Sequence, residues 1–254
     1  MPEYVDYSEY YDYDYPSNEE EIQYYIEYAK TTGGPILELG CGTGRILIPI
    51  AKAGFDVNGI DISENMLNVA KKKIKARRLS PHVTLTCSDM ANFELPQKNF
   101  SMVFAAARSF MHLFAQDKQI ACLNAVNRHM RPNGLLLLDL YSPNFKRLSQ
   151  PAESEYRVHR EFNLPNGNLV VHKRRFLGAD QLNQVNSEEI LFEEYGEGGS
   201  LIRTKKARMD TRYTFRFELE LLLERAGFEV QDLFRDYRRT PYDGTGELLV
   251  VARK

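Results

Sequence analysis

The sequence predicts an α/β fold: a seven-stranded, mostly parallel sheet with helices on both faces, plus a small antiparallel β insertion after the fifth strand. Three observations carry this. From Pro35 onward, short apolar runs alternate with amphipathic stretches, the pattern of βαβ units. The run Leu135-Leu136-Leu137-Leu138 is apolar on both faces, as a central strand covered by helices on each side requires. After Pro143 the hydrophobic period changes to two and hairpin signals appear, which marks an antiparallel sheet.

In chain order, the first thirty or so residues are dense in tyrosine and acidic side chains, from Tyr4 through Asp12, Asp14 and Tyr15 to Glu21. Asn18 reads as a helix N-cap with Glu20 and Glu21 in the first turn, followed by a helix to about Lys30 with Ile22, Tyr25 and Ile26 as its buried stripe. Gly33-Gly34 ends it. Parallel strands are expected over 36–39, 56–60, 83–86, 101–105 and 135–140, and helices over 45–53, 64–78 and 118–130. In the insertion, strands over 156–163 and 168–176 flank Pro165-Asn166-Gly167, a tight-turn sequence, and strands over 189–195 and 201–209 flank the turn at 196–199. A helix over 215–226, capped by Gly227, and strands over 228–235 and 247–251 close the main sheet. This gives an arm and helix over 1–34, a main domain over 35–143 and 213–254, and an insertion over 144–212.

With 254 residues, 43% hydrophobic and 27% charged, the chain is expected to form one globular unit with an appendage. A formal net charge of -2 provides no global field to draw in nucleic acid or an anionic membrane. The three cysteines, Cys41, Cys87 and Cys122, have neither disulfide nor zinc spacing, so no metal is expected and a reducing cytoplasm fits. The start of the chain lacks the layout of a secretory signal, and no apolar run approaches the ~20 residues that cross a bilayer. A soluble protein is expected.

The segment Ile36-Leu37-Glu38-Leu39-Gly40-Cys41-Gly42-Thr43-Gly44-Arg45 is an apolar strand running into a glycine-rich turn and a helix. Glycines let this backbone turn tightly and approach a ligand that a Cβ would hold off, so a small-molecule cofactor is expected against it. A dinucleotide fingerprint needs a third glycine where Arg45 stands. Asp61 falls about twenty residues downstream at the end of the second strand, where a carboxylate can accept both ribose hydroxyls. Each feature alone has an ordinary reading: a structural turn, a helix cap before Ser63, a turn started by Asp89. Those readings do not explain all three at the carboxyl ends of successive strands, the edge where open α/β sheets bind ligands.

The G-x-G-x-G spacing with Glu38 resembles motif I of class I, Rossmann-like S-adenosylmethionine-dependent methyltransferases. Ser88-Asp89-Met90 is similar to the family's adenine-binding acidic segment. Arg131-Pro132-Asn133-Gly134 resembles its L-k-P-G-G turn, with Asn133 in place of a glycine. The resemblance covers 35–140, and the tail over 215–254 follows the family's closing helix and strands. It implies S-adenosyl-L-methionine as cofactor, S-adenosyl-L-homocysteine as product, and a cofactor set of Tyr11, Glu38, Gly40, Cys41, Gly42, Asp61, Ile62, Met66, Asp89, Met90 and Ala106. Tyr11 enters because Tyr10-Tyr11-Asp12 resembles the Y-D segment of sugar N-methyltransferases, whose N-terminal region folds over the cofactor.

The segment over 105–113 is similar to the N-S-F-x-H-L segment of glycine N-methyltransferase-like enzymes, with Arg108 in place of the Asn. The resemblance implies Arg108 at the substrate; by its intrinsic pKa His112 is expected as a base or a ligand of the cofactor carboxylate, and Tyr141, just past the fifth strand, is a second candidate, for orienting the acceptor. The alternatives are a capping histidine and an ordinary strand-end aromatic. Nucleotide-sugar N-methyltransferases carry a comparable insertion, implying roles in specificity and homodimer formation. The basic runs over 172–175 and 203–208 face either an anionic substrate or solvent, and the lysines over 71–75 are expected on the outer face of their helix.

The leading function is therefore methyl transfer to nitrogen or oxygen of a small molecule, with no nucleic-acid or membrane partner. An RNA or protein methyltransferase on the same fold is the alternative. It is opposed by the near-neutral charge and by the lack of an N-P-P-Y-type signature after the fourth strand. A non-catalytic cofactor-binding protein and an NAD-dependent dehydrogenase stand lower, the latter because of Arg45.

Overall fold

The computed structural model describes residues 8–254; residues 1–7, where the tyrosine-rich arm begins with Tyr4, lie outside the described residues. Helices α1 (Ser8–Asp14) and α2 (Glu19–Thr32) lead into strand β1 (Ile36–Leu39), helix α3 (Leu47–Lys52), strand β2 (Val57–Asp61), helix α4 (Glu64–Ala76) and strand β3 (Val83–Cys87). Strand β4 (Phe100–Ala105), helix α5 (Gln116–His129), strand β5 (Met130–Tyr141) and the short helix α6 (Phe145–Leu148) follow. Strands β6 (Arg157–Asn163), β7 (Leu169–Asp180), β8 (Val185–Tyr195) and β9 (Leu201–Arg212) form the insertion, before helix α7 (Arg216–Arg225) and strands β10 (Glu229–Phe234) and β11 (Glu247–Arg253).

The main sheet has the order β10-β11-β5-β4-β1-β2-β3, parallel except for β11, which runs antiparallel to both neighbours. Alternate residues of its central strands feed two separate cores, because successive side chains on a strand point to opposite faces. Leu136, Leu138, Val103 and Ala105 pack with Cys122, Leu123 and Val126 of α5 and Leu219 and Leu223 of α7. Leu135, Leu137, Met102 and Phe104 pack with Ile22, Tyr25 and Ile26 of α2, Leu47 and Ile48 of α3 and Leu67 and Ile74 of α4. The four-leucine run is thus buried on both faces, as its composition requires. Asn18 caps α2 by accepting from the Glu20 amide at 3.1 Å.

The second sheet, β6-β7-β8-β9, is a fully antiparallel meander. Leu164 to Asn168 close its first hairpin around Asn166-Gly167, with Gly167 at φ 87°. Strand β6 falls where expected, but β7, β8 and β9 are longer than the alternation suggests, because β7 and β8 continue to a tight turn at 181–184 whose polar residues hide the pairing in the sequence.

Three other local features differ from expectation. The helix expected from residue 45 begins at Leu47, since the chain is still leaving the glycine turn at Arg45. The Arg131 to Gly134 turn is absorbed into β5, and Asn133 adopts φ 60°, the left-handed region where asparagine is the best tolerated replacement for glycine. Helix α1 was not expected, because Tyr and Asp are poor helix formers. Tertiary contacts hold it: Tyr10 is buried against Phe162 and Phe192 of the second sheet.

Gly59, in the middle of β2, sits where a Cβ would lie 2.5 Å from Leu47 Cδ1 and 2.7 Å from Cys41 Sγ. Gly59→Ala is therefore expected to lower unfolding free energy by about 1–3 kcal/mol through overpacking. A urea midpoint that falls with unchanged slope checks this.

Candidate active site

The carboxyl ends of β1, β2 and β3, with the loop after β4, border a cleft open to solvent. Its floor is the turn after β1, where Gly40, Gly42 and Gly44 have φ of 67°, 51° and 78°. Two positions require glycine for more than φ. A Cβ on Gly40 would lie 2.8 Å from Ser109 Cβ, so the backbone of the turn packs directly against the Ser109 side chain of the β4 loop. A Cβ on Gly42 would meet nothing within 4 Å and would project into open space, and Gly42 lines the cleft.

Asp61 ends β2 beside this turn. Its Oδ2 accepts from the Gly42 amide at 2.7 Å and its Oδ1 from the Ser63 amide at 2.8 Å. The Ile62 amide also donates to this carboxylate. Burial raises the Asp61 pKa, opposed by backbone amides. Ser63 in turn caps α4 by accepting from the Met66 amide, so both expected roles of this segment coexist. Asp89, after β3, accepts from the Ala91 amide at 2.8 Å and lines the cleft with Ser88 and Met90.

Of the expected cofactor set, Tyr11, Gly40, Gly42, Asp61, Ile62, Met66, Asp89 and Met90 line this cleft. Glu38, Cys41 and Ala106 are buried and are not among the lining residues. The Cys41 thiol packs under Gly59, away from the cleft. Glu38 stands behind the turn, where burial pushes its carboxyl well up and leaves Oε2 with no hydrogen-bond partner among the described residues. In place of Ala106, Ala107 and Ser109 form the wall.

Ala107 and Arg108 are consecutive left-handed residues, at φ 49° and 64°. Such a pair without glycine persists only where its surroundings impose it, and it is concentrated at functional sites. Buried Asp139 on β5 imposes it, accepting from the Ala107 amide at 3.0 Å and from Tyr237 Oη at 2.8 Å. Arg108 pairs with Glu247 of β11, and the Ser109 hydroxyl donates to the Ala106 carbonyl at 2.8 Å.

Beyond this wall lies a second, larger space, bounded by the N-terminal segment, the β4 loop and one face of the second sheet. Tyr11, Ala107 and His112 line both spaces. His112 ends a single 3₁₀ turn, Ser109–His112, and its Nδ1 donates to the Asp210 carbonyl at 3.2 Å, which leaves the lone pair on Nε2. Desolvation lowers its pKa, so the ring is neutral at pH 7. Tyr141 and Arg108 line the larger space; the Tyr141 hydroxyl shares a 2.7 Å hydrogen bond with Thr211 of β9, and burial raises its pKa.

Helix α1 bridges the two sheets across these spaces. On one side Asp12 holds Lys73 Nζ at 2.8 Å and accepts from Thr43 Oγ1, within the glycine turn, at 2.6 Å. Lys73 therefore turns inward, unlike its exposed neighbours Lys71 and Lys72. On the other side buried Asp14 accepts from His172 Nδ1 at 2.5 Å, and Tyr10 donates to Glu194 at 2.8 Å. Arg45, singled out in the sequence only as a missing glycine, forks onto Glu21 of α2 at 2.5 and 2.8 Å and lines the larger space. Arg147, Arg160, Arg174, His159 and Glu188 also line it, and the alternation of the insertion was the one signal that placed any of them on a common face.

Comparison with known proteins is consistent with this geometry. A family model described as a methyltransferase domain matches residues 36–134. The chain is 28% identical to the cypemycin N-terminal methyltransferase of a Streptomyces species, over 87% of this chain and 84% of that protein. It is 28% identical to the dTDP-3-amino-3,4,6-trideoxy-alpha-D-glucopyranose N,N-dimethyltransferase of Streptomyces venezuelae, over half of each chain. Among solved structures, the CcbJ methyltransferase from Streptomyces caelestis superposes with a TM-score of 0.79 at 26% identity, covering 98% of this chain and 97% of that one.

The environment of His112 is open to direct measurement. Its ring is expected to titrate below the ordinary value of 6.5, with the proton on Nδ1 in the neutral form. Nitrogen-15 shifts of the labelled protein followed from pH 8 to 5 check this, and a midpoint above 6.5 would contradict the desolvation argument.

Proposed function

We propose that this chain, an S-adenosylmethionine-dependent methyltransferase of Rossmann-like fold, delivers its methyl group to a nitrogen or oxygen of a small molecule held in the larger space. The observation that carries the reading is the shared wall. Tyr11, Ala107 and His112 belong to both the glycine-floored cleft and the roofed space behind it, so a donor in one and an acceptor in the other meet at these residues. Two of the similar proteins act on amines by name, which favours nitrogen.

The residues of the cleft suit the cofactor. On this reading Asp61, held by the backbone amides of Gly42, Ser63 and Ile62, accepts from the ribose hydroxyls, and Asp89 and Met90 hold the adenine. Gly40 and Gly42 leave room for the methionine portion, and the Glu38 Oε2, without a hydrogen-bond partner among the described residues, offers an acceptor behind the turn. Tyr11 presents an aromatic ring where a sulfonium would gain cation–π attraction. When bound, the cofactor supplies a methyl already activated by positively charged sulfur.

The chain's own task is then alignment and proton control. A primary amine reaches the site mostly protonated at neutral pH and attacks only after losing that proton. His112, neutral through burial and lining both spaces, is the group we assign to take it. Tyr141 and Arg108 line the acceptor side and orient it; Thr211 and Asp139 position those two groups through the hydroxyl bond and the loop kink.

Incubation of the purified protein with S-adenosylmethionine and a panel of amino sugars, small amines and phenols, reading S-adenosylhomocysteine release, tests the reading. Turnover on a small molecule supports it. Methylation confined to RNA or to folded protein overturns it. Asp61→Ala is expected to weaken S-adenosylhomocysteine binding by roughly 10- to 100-fold, the loss of charge-assisted hydrogen bonds to two hydroxyls. Normal binding by that variant in calorimetry would place the cofactor elsewhere.

A further inference from the structure

The face of the second sheet that walls the larger space carries Arg174 on β7, Asn186 and Glu188 on β8, and Met209 and Thr211 on β9; fully buried His172, two residues before Arg174, shares that face without lining the space. Strand β6 reaches the same wall by an irregularity. Val158 opposes Lys173 and Arg160 opposes His172, so His159 is an extra, unpaired residue. Without it Arg160 would oppose Val171 and point to the reverse face. The bulge brings both His159 and Arg160 to the space, an arrangement that recurs where a strand must aim a side chain at a site.

The charges on this wall are unequally matched. Arg147 pairs with Glu188 at 2.7 Å. Arg174 donates to His172 Nε2 at 3.0 Å and to Tyr15 Oη at 2.9 Å, and has only distant carboxylates, Asp14 at 3.9 Å and Glu188 at 3.8 Å. Arg160 is half-buried and has no carboxylate within 4.0 Å among the described residues. A guanidinium withdrawn from water without a counter-charge is costly, and an oxyanion with two or three acceptor oxygens relieves that cost by accepting its forked N–H groups.

We propose that Arg160, Arg174 and His159, gathered by the bulge, form an oxyanion subsite that holds a phosphate or carboxylate of the methyl acceptor apart from the atom that is methylated. This rests on the small-molecule reading above and narrows it to acceptors that carry an anionic group. The donor cleft contains none of the three residues, so the subsite governs the acceptor and leaves cofactor affinity unaffected.

The test titrates inorganic pyrophosphate, inorganic phosphate and glutarate separately into the full chain saturated with S-adenosylhomocysteine, at low salt, by calorimetry. Binding of pyrophosphate or phosphate identifies a phosphate group, and binding of glutarate alone identifies a carboxylate. In either case Arg160→Gln is expected to weaken binding about tenfold or more, with Arg160→Lys in between. S-adenosylhomocysteine affinity, unchanged within about twofold, verifies that the variants are folded. Absence of binding by all three probes, or binding that Arg160→Gln leaves intact, overturns the proposal. Anion binding that depends on Arg160, in a protein that methylates only macromolecules, would sustain the subsite and refute the small-molecule reading.

Discussion

The structure depends on the clamp between the Asp61 carboxylate and the Gly42 amide, 2.7 Å apart. It joins the ends of adjacent strands β1 and β2 and fixes a turn of three left-handed glycines. Because that turn leaves its upper side clear of Cβ atoms, the β4 loop can close on it through Ser109 and the N-terminal helix can reach it through Thr43. The cleft is a consequence of this junction. On the proposed function, the methyl donor needs a floor of bare backbone and one well-oriented carboxylate, and both come from the same contact.

A second layer of constraint is the buried polar scaffold under the β4 loop. Asp139 holds Ala107 and Tyr237, and Arg108 holds Glu247, so strands β4, β5 and β11 and the loop before β11 share one charged network. Buried groups of this kind are costly unless satisfied, and Asp139 Oδ1 and Glu247 Oε2 are not satisfied among the described residues. Orphaned acceptors beside a left-handed pair mark this region as shaped for a ligand more than for stability.

Much of this was legible in the residues. The strand–turn–helix at 36–45, Asp61 and Asp89 announced the cleft, because short glycine spacings and strand ends are local properties. The leucine run announced the central strand for the same reason. What escaped the sequence depends on contacts between distant segments. Helix α1 forms where Tyr10 and Asp14 meet the second sheet, against their intrinsic preference. The inward turn of Lys73 depends on Asp12, which lies 61 positions away. The placement of Arg160 depends on a bulge visible only once Lys173 and His172 are paired across from it. Glu38 and Cys41 show the converse: they share the motif yet lie buried behind the wall, since burial is decided by packing against other segments and not by proximity in sequence.

The central claim is that the donor sits on the glycine turn under helix α1, which spans both sheets. Hydrogen–deuterium exchange with and without S-adenosylhomocysteine tests it most directly. The account predicts slowed exchange over residues 40–44, 61–66 and 88–91 together with α1, whose contacts to Thr43 and His172 tighten when the cleft is filled. Protection confined to other segments, or unchanged exchange in α1 with the ligand bound, would contradict it.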